Sequence, residues 1–93
     1  MVIGVVRARL SLPEARSLKD KRSVLRSLKD RARQSMNVSV AEVGAQDYWQ
    51  SAELAFVTVA ADSAVVQERL SAISTFLQTS HRHVLLDLET ELL

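Results

Sequence analysis

The chain lacks cysteine, which excludes a disulfide scaffold, a thiolate metal site and a cysteine nucleophile. Its two glycines, Gly4 and Gly44, are too few and too far apart for a glycine-rich phosphate-binding loop. Aromatic residues make up 4% of the sequence and hydrophobic residues 47%, so the core must be mainly aliphatic. No Ser-His-acid order stands out either. These absences predict a non-catalytic protein without a cofactor.

Long apolar runs are also missing. No segment approaches the roughly 20 apolar residues that span a bilayer. Arg7 and Arg9 interrupt the apolar N-terminal run, and no basic segment precedes it as in a secretory signal. We therefore expect a cytoplasmic protein without membrane contact. The 93 residues suffice for a single domain, residues 1–93, and not for two.

Acidic residues are scarce in the first third of the chain. Residues 1–33 contain ten Lys and Arg but three Asp and Glu, a balance of +7. Residues 34–93 contain two basic and eight acidic residues, a balance of −6, so the overall charge is +1. A protein with this polarity can be nearly neutral overall and still present a strongly basic face.

Six segments alternate between strand and helix periodicity. The pattern predicts strands over residues 1–10, 37–43, 52–61 and 83–93, with the third strand central because it is apolar on both faces. It predicts helices over residues 17–34, where Ser17 and Asp20 fit a capping box, and from Asp62 or Ser63 onward. This order predicts an α+β, ferredoxin-like βαββαβ sandwich, a four-stranded antiparallel sheet with two helices on one face.

In this plan the first and last strands are neighbours. Arg7 and Arg9 are then expected to face acidic residues of the last strand across the open side of the sheet, where such pairs stabilise by roughly 0.2–1 kcal/mol each. The acidic residues are Asp87, Glu89 and Glu91, while Leu86, Leu88 and Leu92 are predicted to face the other way.

Three ordered segments are similar to those of a known family. They are residues 17–22 (Ser-Leu-Lys-Asp-Lys-Arg), residues 37–43 (Asn-Val-Ser-Val-Ala-Glu-Val) and residues 47–54 (Asp-Tyr-Trp-Gln-Ser-Ala-Glu-Leu). With these segments, essentially the whole chain resembles the YlxP-like family (DUF503), small bacterial proteins of unknown function. The resemblance implies a ferredoxin-like fold and genes that lie near those for translation and ribosome maturation. It implies no catalytic residue.

A row of cations follows one side of the first predicted helix, within an arc of about 80° and over roughly 21 Å. Like charges stacked in this way destabilise a helix, and their spacing matches that of successive phosphates. The sequence therefore predicts docking on structured RNA or ribosomal particles, with Arg16 and Lys21 assisting at the helix start; an ordinary solvated face is the alternative. The row, here called the basic stripe, consists of Lys19, Arg22, Arg26, Lys29 and Arg33.

The open face of the predicted sheet carries apolar residues beside its charges. This arrangement favours a homodimer or another protein-interaction module as the second hypothesis, unless the face assignment is wrong by one residue. Alternation along the third strand places Phe56 on the core side, so no aromatic residue is predicted on the open face. Base stacking of the RNA-recognition-motif type is therefore not expected. The residues of this apolar patch are Ile3, Val5, Ala55, Val57 and Val59.

The single tryptophan lies in the connection between the second and third strands. Trp49 could anchor a partner or fold back over the open end of the core, while Asp47 and Gln50 could cap turns. A third hypothesis is an enzyme or small-molecule sensor with its ligand near Trp49. His81 and His83 lack a third ligand, so we predict no metal site and expect His81 to end the second helix.

Overall fold

The computed structural model describes residues 1–80 and 82–93. The elements lie within two residues of the predicted ranges: β1 (Val2–Ser11), α1 (Leu18–Ser35), β2 (Ser39–Gly44), β3 (Ser51–Ala60), α2 (Ser63–Gln78) and β4 (Val84–Leu92). The four strands form one antiparallel sheet in the order β2-β3-β1-β4. The predicted ferredoxin-like α+β fold is confirmed.

The core lies between one face of this sheet and the two helices. Alternation along β1 and β3 brings every second side chain to this face, and Phe56 is fully buried there as its parity predicted. Each buried aliphatic side chain contributes roughly 1.5–3 kcal/mol relative to an exposed one. The helices contribute Val24, Leu25, Leu28 and Ala32 from α1, and Val66, Leu70, Ile73 and Leu77 from α2.

Local side-chain bonds determine where the helices begin. The Asp20 backbone N–H donates to Ser17 Oγ at 3.1 Å, which confirms Ser17 as the N-cap of α1. In a capping box the side chain of Asp20 would accept a hydrogen bond from the backbone N–H of the N-cap residue. Here the Asp20 carboxylate accepts from the N–H of Arg16, one residue before the N-cap, at 3.0 Å. Asp62 is the N-cap of α2, where its Oδ1 accepts from the Ala64 N–H at 2.9 Å.

The β1–β4 pairing confirms the predicted neighbours and their charges. Arg9 lies opposite Asp87 and Arg7 opposite Glu89, while Arg7 Nη1 is 3.4 Å from Glu91 Oε2 on the diagonal. Both side chains of this ion pair are about half exposed, so its contribution to stability is small.

The prediction that Leu86 faces the core with Leu88 is wrong. The register shifts at Arg9/Leu10, where Leu10 pairs with Leu85 and Arg9 with Asp87. Leu86 is therefore the extra residue of a β-bulge and is 55% exposed, whereas Leu85 and Leu88 pack against the core. A bulge reverses the inside–outside alternation on one side of it, and strict two-residue periodicity cannot show this.

Neither described helix combines the length and apolar composition needed to cross a membrane.

Candidate nucleic-acid interface

The basic stripe borders a groove between α1 and the edge strand β2. The groove has a volume of about 210 Å³. Because β2 is at the edge of the sheet, this side of α1 is open to a partner. The groove, here called the α1–β2 groove, is lined by Arg22, Leu25, Arg26, Lys29, Asp30, Arg33 and Glu42.

Among the residues that the structure describes, Arg33 is the one member of the stripe with partners inside the protein. Its Nη1 is 3.6 Å from the Asp30 carboxylate, and its Nη2 donates to the Val40 carbonyl at 3.1 Å. The second contact satisfies a backbone acceptor on the edge strand, so Arg33 contributes to α1–β2 packing as well as to the groove. Half of its side chain is still exposed.

The other four members of the stripe have no such partner. Among the described residues, none of their side chains forms an ion pair or an intramolecular hydrogen bond. Three are exposed and Lys29 is half-buried. Their positive charge is therefore offset only by solvent ions, and a polyanion can replace those ions. These residues are Lys19, Arg22, Arg26 and Lys29.

The prediction that Lys21 assists in phosphate binding is wrong. Lys21 is 1% exposed, and its Nζ lies 2.7 Å from Glu42 Oε2. The same ammonium donates to the carbonyls of Ala45 and Tyr48, both at 2.7 Å. All of its donors are used inside the protein, so it cannot reach an RNA backbone.

Helical spacing contained a signal for the burial of Lys21. The residue precedes Leu25 by four positions and Leu28 by seven, and both leucines are buried. Residues at these separations share a helix face, so Lys21 lies on the core side of α1. The identity of its partner Glu42, which lies on β2, could not be read from that spacing.

Two other arginines of this region have distinct environments. The Arg16 side chain is exposed just before the start of α1, where it extends the cationic surface. Arg31 lies off the stripe, with its Cζ 5.7 Å from the centre of the Phe76 ring on α2. This distance allows a cation–π contact between the helices.

The connection between β2 and β3 presents two aromatic rings to solvent. Trp49 is 50% exposed and Tyr48 68% exposed. The interpretation that Trp49 covers the open end of the core is therefore wrong. Gln50 points back instead, and its Nε2 donates to the Ala15 carbonyl at 3.1 Å.

The residues of the apolar patch lie on the open face of the sheet, as the alternation predicted. Val57 and Val59 are 40% and 52% exposed, and they pair with Val5 and Ile3 of β1. Ile3, Val5 and Ala55 are half-buried. At the other end of this face, Arg7, Arg9, Glu53, Asp87 and Glu89 line a mixed-charge depression of about 300 Å³.

His83 is buried, and its Nε2 lies 2.7 Å from the Leu77 carbonyl near the end of α2. His81, expected to end that helix, lies outside the described residues. Among the described residues, no group of three His, Cys, Asp or Glu side chains could hold a metal ion.

Comparison with known proteins supports the family resemblance of the three sequence segments. The profile of a family described as "Protein of unknown function (DUF503)" matches residues 3–90. The chain belongs to this family. It is also 30% identical over 78 residues to the "Uncharacterized protein YlxP" of Bacillus subtilis (strain 168), a match that covers 84% of this chain and 85% of that protein. Family membership brings no assigned activity, and the surface of the molecule is the source of functional information.

Proposed function

We propose that this family member is a non-catalytic cytoplasmic protein that docks its basic stripe on structured RNA, in a translation-related role such as binding to ribosomal particles. The observation that carries the proposal is the set of four cations on one side of α1 that have no partner within residues 1–80 and 82–93. Arg16, just before α1, and Arg33, in its last turn, lie at the two ends of this set. Lys21 has no part in it.

The charges around the α1–β2 groove favour a polyanion. Glu42 is the acidic residue on the β2 side of the groove, and the buried ammonium of Lys21 compensates it at 2.7 Å. Asp30 is next to Arg33. Arg22, Arg26 and Lys29 therefore remain as positive charges in the groove that no described residue pairs with. The two arginines can bind a phosphate through two N–H donors, and Lys29 acts as a point charge.

Binding of this kind reads the backbone of the nucleic acid and not its bases. Each phosphate contact releases condensed counterions and changes the slope of log affinity against log salt by about −0.9 for a duplex. Four contacts would give a slope of about −3.6. We therefore expect a steep salt dependence with little preference among duplex sequences.

The test is co-sedimentation with ribosomal particles and free ribosomal RNA over a salt series. The stripe variant carries Arg22→Glu and Arg26→Glu. The matched control carries Arg31→Glu and Arg82→Glu, two exposed arginines off the stripe that change the net charge by the same amount. We expect the stripe variant to lose binding and the control to retain it. A salt slope near zero, or equal losses in both variants, would contradict docking through the stripe.

The exposed valines of the open sheet favour a second candidate, a homodimer without a role in nucleic-acid binding. Val57 and Val59 lie side by side with Ile3 and Val5, so the apolar patch is continuous across β1 and β3. Val57→Asp should abolish association in sedimentation equilibrium, whereas Gln67→Asp on exposed α2 should not. A wild-type protein that stays monomeric at millimolar concentration would eliminate this candidate.

A further inference from the structure

The connection between β2 and β3 is fastened to the rest of the protein at both ends. Lys21 Nζ binds the carbonyls of Ala45 and Tyr48, and the Gln50 side chain binds the Ala15 carbonyl. The Gln50 carbonyl also accepts from the Leu12 N–H at 2.9 Å. Segment 45–50, here called the aromatic loop, is therefore ordered by contacts that leave its rings free.

Ala45 shows that this order is imposed by the surroundings. Its φ of 56° lies in the left-handed region, which costs a non-glycine residue roughly 1 kcal/mol or more. Its carbonyl accepts from both Lys21 Nζ and the Tyr48 N–H, at 2.7 and 3.2 Å. The same ammonium also pairs with Glu42, so one buried charge holds both the strained turn and the β2 carboxylate.

The two rings on this loop are exposed although the backbone beneath them is held in place. Tyr48 and Trp49 border an open depression of about 480 Å³ together with Asp47, Gln50 and Ser51. Exposing both rings forgoes the stabilisation that their burial would provide. Because the backbone is already ordered, a ligand that covers the rings loses less conformational entropy on binding.

The aromatic loop lies at the N-terminal end of the basic stripe. Lys21 holds the loop from the first turn of α1, and Arg22 is the next residue of that helix. Glu42 contacts Lys21 and also lines the α1–β2 groove. The Lys21–Glu42 pair thus connects the aromatic loop to the groove that the stripe cations line.

The chemistry of the two neighbouring surfaces differs in a way that suits a nucleotide. The stripe offers cations for phosphate, whereas the loop offers two rings beside the carboxylate of Asp47, which repels phosphate. Stacking on an aromatic ring contributes to the binding of any unpaired base, whereas a base inside a duplex is not accessible. An apolar peptide would satisfy the rings but not the adjacent cations.

We infer that the aromatic loop binds an unpaired base by stacking on Trp49 and Tyr48 while the neighbouring phosphates lie on the stripe. This inference rests on the proposed function and deepens it: the ligand is structured RNA in which unpaired nucleotides adjoin a helix. The loop supplies the preference for such junctions, and the stripe supplies most of the affinity.

The test compares two RNA probes, a blunt duplex and the same duplex with three unpaired adenosines at its centre. Wild-type protein should bind the bulged probe at least about fivefold more tightly, with quenching of the single tryptophan. Trp49→Ala should lower the affinity for the bulged probe to that for the duplex, without changing duplex affinity or its salt slope. Trp49→Phe keeps a ring and should retain much of the preference.

The outcomes separate the inference from the proposed function. If wild-type protein binds neither probe at low salt, the proposed function fails and the inference fails with it. If it binds both probes equally and Trp49→Ala has no effect, the stripe still binds RNA but the stacking inference is overturned. If Trp49 emission changes with protein concentration in the absence of RNA, the loop is a protein contact, which also overturns it. Circular dichroism of each variant checks that it is folded.

Discussion

Replacement of Lys21 by methionine tests whether the buried ammonium stabilises the fold. Methionine has a similar length but no donor, so Lys21→Met leaves the Glu42 carboxylate and the carbonyls of Ala45 and Tyr48 without their shared partner. Breaking a buried ion pair costs about 3–5 kcal/mol. The Glu42 side chain is 20% exposed and can recover some hydration from the groove, which places the expected loss near the lower bound, about 3 kcal/mol.

This loss is large for a protein of this size. A chain of 93 residues has a free energy of unfolding of roughly 5–14 kcal/mol. A destabilisation of about 3 kcal/mol lowers Tm by roughly 12–24 °C. The strained turn at Ala45 also loses the bond to its carbonyl, so we expect Trp49 in the aromatic loop to become more mobile.

The assay is urea unfolding followed by circular dichroism, with Trp49 fluorescence anisotropy for the loop. Lys19→Met is the matched control, because Lys19 is exposed and has no partner in the described part of the chain; it should change stability by less than about 0.5 kcal/mol. Adding Glu42→Leu to Lys21→Met should restore part of the loss, since no buried carboxylate is then left without a cation. If Lys21→Met unfolds within 0.5 kcal/mol of wild type, the three contacts provide no net stability and the reasoning is refuted.

Three further predictions concern the packing of the sheet and the helix start, and the same unfolding assay tests them. Gly4→Ala puts a Cβ 2.6 Å from a methyl of Val66 and should destabilise by about 1–3 kcal/mol; an unchanged midpoint would mean that α2 shifts without cost. Leu88→Ala should cost about 2 kcal/mol and Leu86→Ala less than about 0.5, and the reverse order would contradict the bulge. Asp62→Ala removes the α2 cap and should cost about 1 kcal/mol, unlike the neighbouring Ser63→Ala.

Much of the fold follows from periodicity and capping alone. Alternation predicted the buried face of β1 and the core position of Phe56, and the apolar character of β3 on both faces predicted its central place. The opposite charges on β1 and β4 are visible in the sequence and agree with the pairing of these strands. These features are local because the side-chain period of a strand or helix depends only on its own backbone.

The candidate site was predictable to a lesser degree. Helical spacing alone placed five cations on one side of α1, and four of them have no ion-pair partner among the described residues. Spacing could not show that the stripe borders β2, because the rotation of a helix against a sheet is settled by packing. Strict alternation along β4 likewise could not show the bulge at Leu86, where one extra residue changes the register.

The sequence by itself determined the order of the elements, the buried faces of β1 and β3, and the row of cations on α1. Tertiary structure decided which charges are available to a partner. Lys21 is not part of the cationic surface, because its ammonium is buried in contact with Glu42, Ala45 and Tyr48. These residues are at least 21 positions away along the chain. The same contacts hold the aromatic loop with its rings exposed. An ion pair between distant segments requires the chain to fold before the partners can meet, so no local pattern contains it.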